Sequence, residues 1–357
     1  MKEKIKNSAK KIVFPFITFA AAMIFSGLLL ALLGYNPIKA YQFILLGTFK
    51  TTSTMGNALA NSIPLMLAGL AVSIAGKAGI LNLGVEGQLY IGGMLGTVCA
   101  LFLPVSNRFL MLFLVLAVSM AGGMAWGGIV GVLKAKYGTN EVVVALMLNY
   151  IAILFTSYLA ASPLKDPDAA LNQTVRIPEH AQFRRMIPRT QITAAIFIAL
   201  GVAVLIWFLF RYTTLGYKLQ SIGSNPKAAL ANGIECRKYM ILSMCLSGAV
   251  AGLVGSTEII GKYGRFTEGF SNDIGFTGVA IAALAGYSPF AVVAVSVVFG
   301  ILNAGSLTLG REMGVSSKMF MVIQGIIVLF VATPYLIEVF AGRRKMKKAK
   351  GDENECE

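Results

Sequence analysis

The chain is a succession of long apolar runs with too few charges to lie against water. They occur near 13–34, 58–76, 84–104, 109–133, 141–161, 191–210, 240–260, 274–286, 288–308 and 317–338. A helix needs about 20 mostly apolar residues to cross the hydrocarbon core of a bilayer. Inside that core only helices and closed barrels satisfy every backbone donor and acceptor. The expected fold is therefore all-α, a polytopic integral membrane protein of about ten transmembrane helices, several of them short or interrupted by Gly. A chain that is 56% hydrophobic and 13% charged, with a mean hydropathy of +0.73, does not suit a water-soluble fold.

In a soluble chain a net charge of +15 would suggest nucleic acid as a partner. Here the basic residues fall at the ends of apolar runs, so membrane topology explains them and no nucleic-acid partner is expected. The start MKEKIKNSAKK leads into VFPFITFAAAMIFSGLLLALLG, 22 apolar residues with no small-residue cleavage site at their end. This reads as a retained first span and not a signal peptide, with the amino terminus in the cytoplasm. Even crossings return the carboxyl terminus to the same side. That side then receives Lys77, Lys134, Lys136, the basic segment 211–239, and a tail over 339–357 that is first basic (RRKMKKAK) and then acidic. The external side receives 35–57, 162–190 and 309–316. Lys165, Arg176, Arg184, Arg185 and Arg189 on the external loop run against the positive-inside rule. Either they face an acidic partner outside or one crossing is miscounted; the first keeps the charge pattern of both termini.

Polar groups inside the spans mark the candidate pathway. AGKAGILNLGVEGQLYIGG, residues 75–93, has many glycines and carries Asn82, Glu86 and Gln88. A carboxylate at membrane depth should face protein or a water-filled path, and glycine permits a helix break or a close helix contact. The segment is thus a pathway or hinge candidate; the alternative is a plain turn with Glu86 near the headgroups. GFSNDIGFTGVAIAALAG, residues 269–286, echoes it, with Asn272 and Asp273 before a Gly-rich helix. The first pair, Asn82 and Glu86, is expected near the internal end and the second near the external end. That polarity points to an inverted repeat, a common basis of alternating access. Asn57, Asn61, Asn149 and Asn303 are further polar groups in apolar surroundings; each can equally bond a neighbouring carbonyl and do nothing else.

Catalytic and metal-binding patterns are missing. Cys99, Cys236, Cys245 and Cys356 form no CxxC pair, and His180 stands without a ligand cluster. Neither a GxGxxG nor a GxxxxGK[ST] phosphate loop occurs, so the chain is read as no enzyme, with no cofactor of its own. Energy for active transport has to come from a partner or an ion gradient.

The segment 211–239 bears on that choice. After GYKLQSIGS, read as a break, Asn225 suits an N-cap, Pro226 the first helical position, and Gly233 a stop. A helix over Pro226 to Asn232 is too short to stand alone. Small Ala228 and Ala229 suit close approach by a partner, whereas an ordinary charged connector has no need of a capped helix.

The runs AGKAGILNLGVEGQLYIGG, TNEVVVALMLNYIA (139–152), TTLGYKLQSIGSNPKAALANGI (213–234) and FTGVAIAALAGYSPF (276–290) resemble the bacterial ABC-importer permease family for sugars, branched-chain amino acids and nucleosides, and most closely its nucleoside branch. The resemblance spans about 60–310. It implies a single permease domain over 1–357 in the inner membrane and a second, homologous permease beside it. It also implies a peripheral ATPase that holds ATP and Mg, an external substrate-binding lipoprotein facing 162–190, and a nucleoside as substrate. Gly223, Asn225, Pro226, Ala228, Ala229, Asn232 and Gly233 would then couple to the ATPase, and Asn82, Glu86, Gln88, Asn149 and Asn303 would line the substrate pathway. The competing expectations are the same machine carrying a pentose or a branched-chain amino acid, an ion-coupled carrier using Glu86 or Asp273, and a membrane scaffold without flux.

Overall fold

The computed structural model describes residues 20–21, 23–32, 34–313, 322, 325 and 326. Among these every regular element is helical: α1 (Met23–Leu32), α2 (Pro37–Phe49), α3 (Thr52–Lys77), α4 (Val85–Phe102), α5 (Arg108–Tyr137), α6 (Glu141–Ala161), α7 (Ala195–Tyr212), α8 (Thr214–Ser224), α9 (Pro226–Ala231), α10 (Cys236–Glu258, continued by a π-turn Ile259–Tyr263), α11 (Ile274–Leu284) and α12 (Pro289–Met313). Seven of them, α3 to α7, α10 with its π-turn, and α12, are long and apolar enough to cross a bilayer. The expected span 317–338 lies almost wholly outside the described residues, as does the first half of 13–34. The chain divides into two compact units, residues 44–305 and residues 1–43 with 306–357.

In the second unit, the expected external loop 35–57 begins instead with a helix. The Asn36 side chain accepts from the amides of Ile38 and Lys39 at 3.0 and 3.2 Å, and Pro37 occupies the first helical position.

The unit 44–305 is built on α3, α4 and α10. Gly92 and Gly93 of α4 meet Gly252 and Gly255 of α10, and Gly123 and Gly127 of α5 meet Gly248 of α10, with backbone where a Cβ would lie. Bare backbones packed this closely give the dispersion contacts that hold helices together when lipid removes the hydrophobic drive. The outer helices invert the soluble pattern. In α6 the buried positions are Ala145, Asn149, Ala152, Thr156 and Ala160, while Met147, Tyr150, Ile151, Leu154, Phe155 and Tyr158 are exposed. Small residues inside and large apolar ones outside suit a helix with lipid on one face.

Loop contacts sort the unit into two ends. At one end Ser53 donates to the Arg189 carbonyl at 2.7 Å, Arg108 to that of Gln182 at 2.6 Å, and the amides of Thr174 and Ile177 to Phe266 and Gly264, both at 2.9 Å. The long loop 162–194 therefore lies over the starts of α3 and α5 and the segment after α10. At the other end Gly76 abuts Tyr287, Gly223 abuts Lys77 and Gly79, and Lys134 pairs with Glu141 at 2.7 Å. This is the end that carries α8 and α9.

Candidate functional site: a buried polar latch and the α8–α9 segment

After Lys77 the chain turns back into the bundle before α4 begins. Ser247 of α10 donates to the Ala71 carbonyl at 2.6 Å and accepts from Asn82 Nδ2 at 2.7 Å. Asn82 thus sits level with a residue six positions before the end of α3, about 9 Å back along that helix. Irregular backbone at such depth requires protein partners, and this segment has them. Asn82 Oδ1 accepts from the Gly84 amide at 2.9 Å, and Asn82 and Gln88 side chains bond each other at 3.0 Å. Asn149 of α6 accepts from the Gly87 amide and donates to the Leu83 carbonyl, both at 2.8 Å. Asn82, Glu86, Gln88 and Asn149 are all buried.

Glu86 reaches across to α11. That helix starts after Asn272 and Asp273, both with positive φ (46° and 62°), and Asp273 makes no side-chain cap. The first donors are satisfied from elsewhere. Ser271 Oγ accepts from the Ile274 amide at 3.2 Å, and Glu86 Oε2 accepts from the Gly275 amide at 2.7 Å. A carboxylate between the starts of α4 and α11 also offsets the partial positive charge of both helix ends. Gly275 is needed here, since a Cβ would stand 2.5 Å from the Glu86 amide nitrogen.

This contact corrects the expected depths: the Asn82–Glu86 and Asn272–Asp273 segments do not lie at opposite ends of the bundle but meet start to start. The reason is that 78–84 and 264–273 both run back inward. From the meeting point α4 leads toward the 162–194 end, whereas α11 leads to Tyr287 beside Gly76. Asn303 does not join them; it occupies an exposed position on α12. Ser247, which completes the latch, lies far along the chain with no local pattern to flag it, while Ser271 lies within the run 269–286 beside the more conspicuous Asn272 and Asp273.

The α8–α9 segment touches the same loop. The nine residues read as a break before Asn225 lie within a helix, α8, whose N-cap Thr213 accepts from the Gly216 amide at 3.1 Å. Leu219 and Ile222, three apart, form its buried stripe. Asn225 then caps α9 as expected, accepting from Lys227 and Ala228 at 3.1 and 3.2 Å, with Pro226 in the first turn. Gly233 at φ 75° closes it, and Asn232 Nδ2 donates to the Ala228 carbonyl at 2.9 Å. Ala229 is buried against Ile222 and Ile234, so it holds α9 to the body, while Ala228 and Leu230 face outward. Tyr217, Ser221, Asn225, Ala228 and Asn232 line an open groove of about 470 Å³. Gly223, the last residue but one of α8, lies with its backbone on Lys77 and Gly79, where a side chain would strike the Lys77 carbonyl. One covalent and packed route thus runs from α9 through Gly223 and Gly79 to Asn82 and Glu86, and on to α11.

Known proteins agree with a transport role. The chain is 31% identical over 354 residues to a nucleoside ABC transporter permease protein of Lactococcus lactis subsp. cremoris, covering 97% of both chains. It is 32% identical over 344 residues to a guanosine ABC transporter permease protein of Bacillus subtilis, covering 95% of this chain and 98% of the relative. A glucose ABC transporter permease protein of Haloferax volcanii is 30% identical over 329 residues, covering 89% and 86%. The family described as branched-chain amino acid transport system / permease component matches residues 54–332, and the chain, a multi-pass helical membrane protein, belongs to it.

Proposed function

We propose that this chain is the transmembrane permease subunit of an ATP-driven nucleoside importer. The observation that carries the substrate class is near-full-length similarity to permeases named for nucleosides and guanosine. In this reading the chain forms half of a translocation pathway, with a second homologous permease supplying the other half. A peripheral ATPase, which holds the ATP and Mg, grips α9 through Ala228, Leu230 and the groove beside them. An external substrate-binding lipoprotein delivers solute over 162–194. The end bearing Lys134, Lys136, Arg211, Lys218, Lys227, Arg237 and Lys238 faces the cytoplasm, in keeping with the positive-inside rule, and both termini lie there.

In this reading the latch is the part that moves. Closure of the ATPase displaces α9, Gly223 passes the displacement to Lys77–Gly79, and the Asn82–Glu86 segment moves the starts of α4 and α11 together. Asn82, Glu86, Gln88 and Asn149 act on the pathway as gating residues, by setting where these helices begin. Asn303, exposed on α12, remains a candidate for direct contact with solute.

The glucose permease relative favours a second reading, the same machine carrying a sugar. Binding of guanosine, uridine, adenosine, glucose and ribose to the cognate external protein, followed by uptake of the same solutes, separates the two. Nucleoside binding with nucleoside uptake supports the first; sugar binding without nucleoside uptake replaces it with the second.

A further inference from the structure

Asn61, Glu258 and Lys262 form a second polar cluster, in which Glu258 is buried and the other two are half-buried, on the side of the bundle nearer the loop 162–194. Glu258 ends α10 and is 4% exposed, and Lys262 sits on the π-turn that follows. Their charged groups stand 3.5 Å apart, and Lys262 Nζ lies 3.3 Å from Asn61 Oδ1 of α3. Asn61 is one helical turn further into the bundle than Asn57, which accepts from the Gln191 amide at 3.0 Å. The cluster thus lies just beneath the loop 162–194.

Ionisable groups at this depth are expensive and tend to mark a path or a site. An ion pair that existed only for packing would need close, fully bonded geometry to offset its desolvation. Charge-assisted bonds run about 2.7–2.9 Å, and both contacts here are longer. Among the described residues no donor other than Lys262 reaches the Glu258 carboxylate. The Lys262 side chain is 25% exposed, so the cluster is not sealed within the bundle. Its backbone is a π-turn, a feature that recurs at functional sites.

We propose that Asn61, Glu258 and Lys262 form a recognition point for the solute at the outer part of the pathway, taking a neutral, hydroxyl-bearing molecule such as a nucleoside. This rests on the importer reading above. The carboxylate accepts from ribose hydroxyls, while Lys262 and the Asn61 amide donate to acceptors on the solute. The pair carries no net charge, which suits a neutral solute better than an anion or a cation. The bound molecule improves the loose bonds of the resting pair and is released when the helices move.

The test is initial uptake of guanosine and 2′-deoxyguanosine by cells carrying the full importer, with the chain as wild type, Glu258→Gln, Asn61→Ala or the doubly neutral Glu258→Gln/Lys262→Met. The binding protein is the same throughout, so a changed ratio between the two solutes belongs to the permease. The expected result is a fall in guanosine uptake of about tenfold in Glu258→Gln and a guanosine preference that shrinks in all three variants. Should Glu258→Gln fail to reach the membrane, the other two variants report the same ratio. Wild-type ratios in every variant that reaches the membrane overturn the proposal, as does full uptake in the doubly neutral chain, because a structural pair behaves that way. A wild-type chain that takes up neither nucleoside beside its ATPase overturns the importer reading itself.

Discussion

At the scale of single residues, Glu86 has the most specific task, because it caps a helix to which it is not covalently adjacent. Glu86→Ala leaves the Gly275 amide without its partner, a loss of about 1–3 kcal/mol. Glu86→Gln keeps an acceptor at the same reach and should lose less. Thermal unfolding in detergent is expected to rank the proteins wild type, then Gln, then Ala; equal melting of all three would show that the bond contributes nothing. Only half of this was legible in the sequence. The isolated carboxylate in a Gly-rich run identified Glu86 as a residue that must face protein or water. Its partner lies 189 positions away in the chain, and nothing near Glu86 names it. Ser247, bonded to Asn82 across 165 positions, is hidden for the same reason.

At the scale of elements, α9 was readable from its Asn225-Pro226 start and Gly233 stop because capping is local chemistry. The preceding helix α8 was not. Gly216 and Gly223 look like breaks, and they interrupt a short apolar stripe of Leu215, Leu219 and Ile222. Both glycines are there for close approach: Gly216 lies against the Leu209 carbonyl and Gly223 against that of Lys77. Gly223→Val should therefore separate α8 from the Lys77–Gly79 turn and lower transport by about tenfold or more, as small misplacements far from a site can do. The ATPase should still co-purify with it. Leu230→Asp, by contrast, alters the outward face of α9, and the expected outcome is loss of ATPase co-purification from a chain that remains folded. Normal transport in Gly223→Val would remove the route from α9 to the latch. The α5–α10 seam offers a control: Gly123→Leu puts a side chain where the Gly248 carbonyl lies, and overpacking of about 1–3 kcal/mol should lower the melting temperature.

At the scale of the whole molecule, the apolar runs set the approximate limits of the long central spans, because bilayer thickness and backbone hydrogen bonding leave few solutions. The run 274–286, expected as a crossing, is instead an 11-residue helix that starts within the bundle. Hydropathy does not encode where a chain turns back within the bundle, so the inward paths of 78–84 and 264–273, and the meeting of α4 with α11, emerge only from tertiary contacts. Those two inward turns place two helix starts at one depth and tie both to the α8–α9 segment, which in the proposed importer is the element a cytoplasmic motor pushes. The central claim is that the push comes from ATP on a partner. It is tested most directly by uptake of radiolabelled guanosine into cells lacking this gene, with the chain restored alone, with the proposed partner ATPase, or with that ATPase made unable to hydrolyse ATP. Uptake that returns only with the active ATPase is the expected result; uptake driven by the chain without an active ATPase would contradict the account and make the chain an ion-coupled carrier.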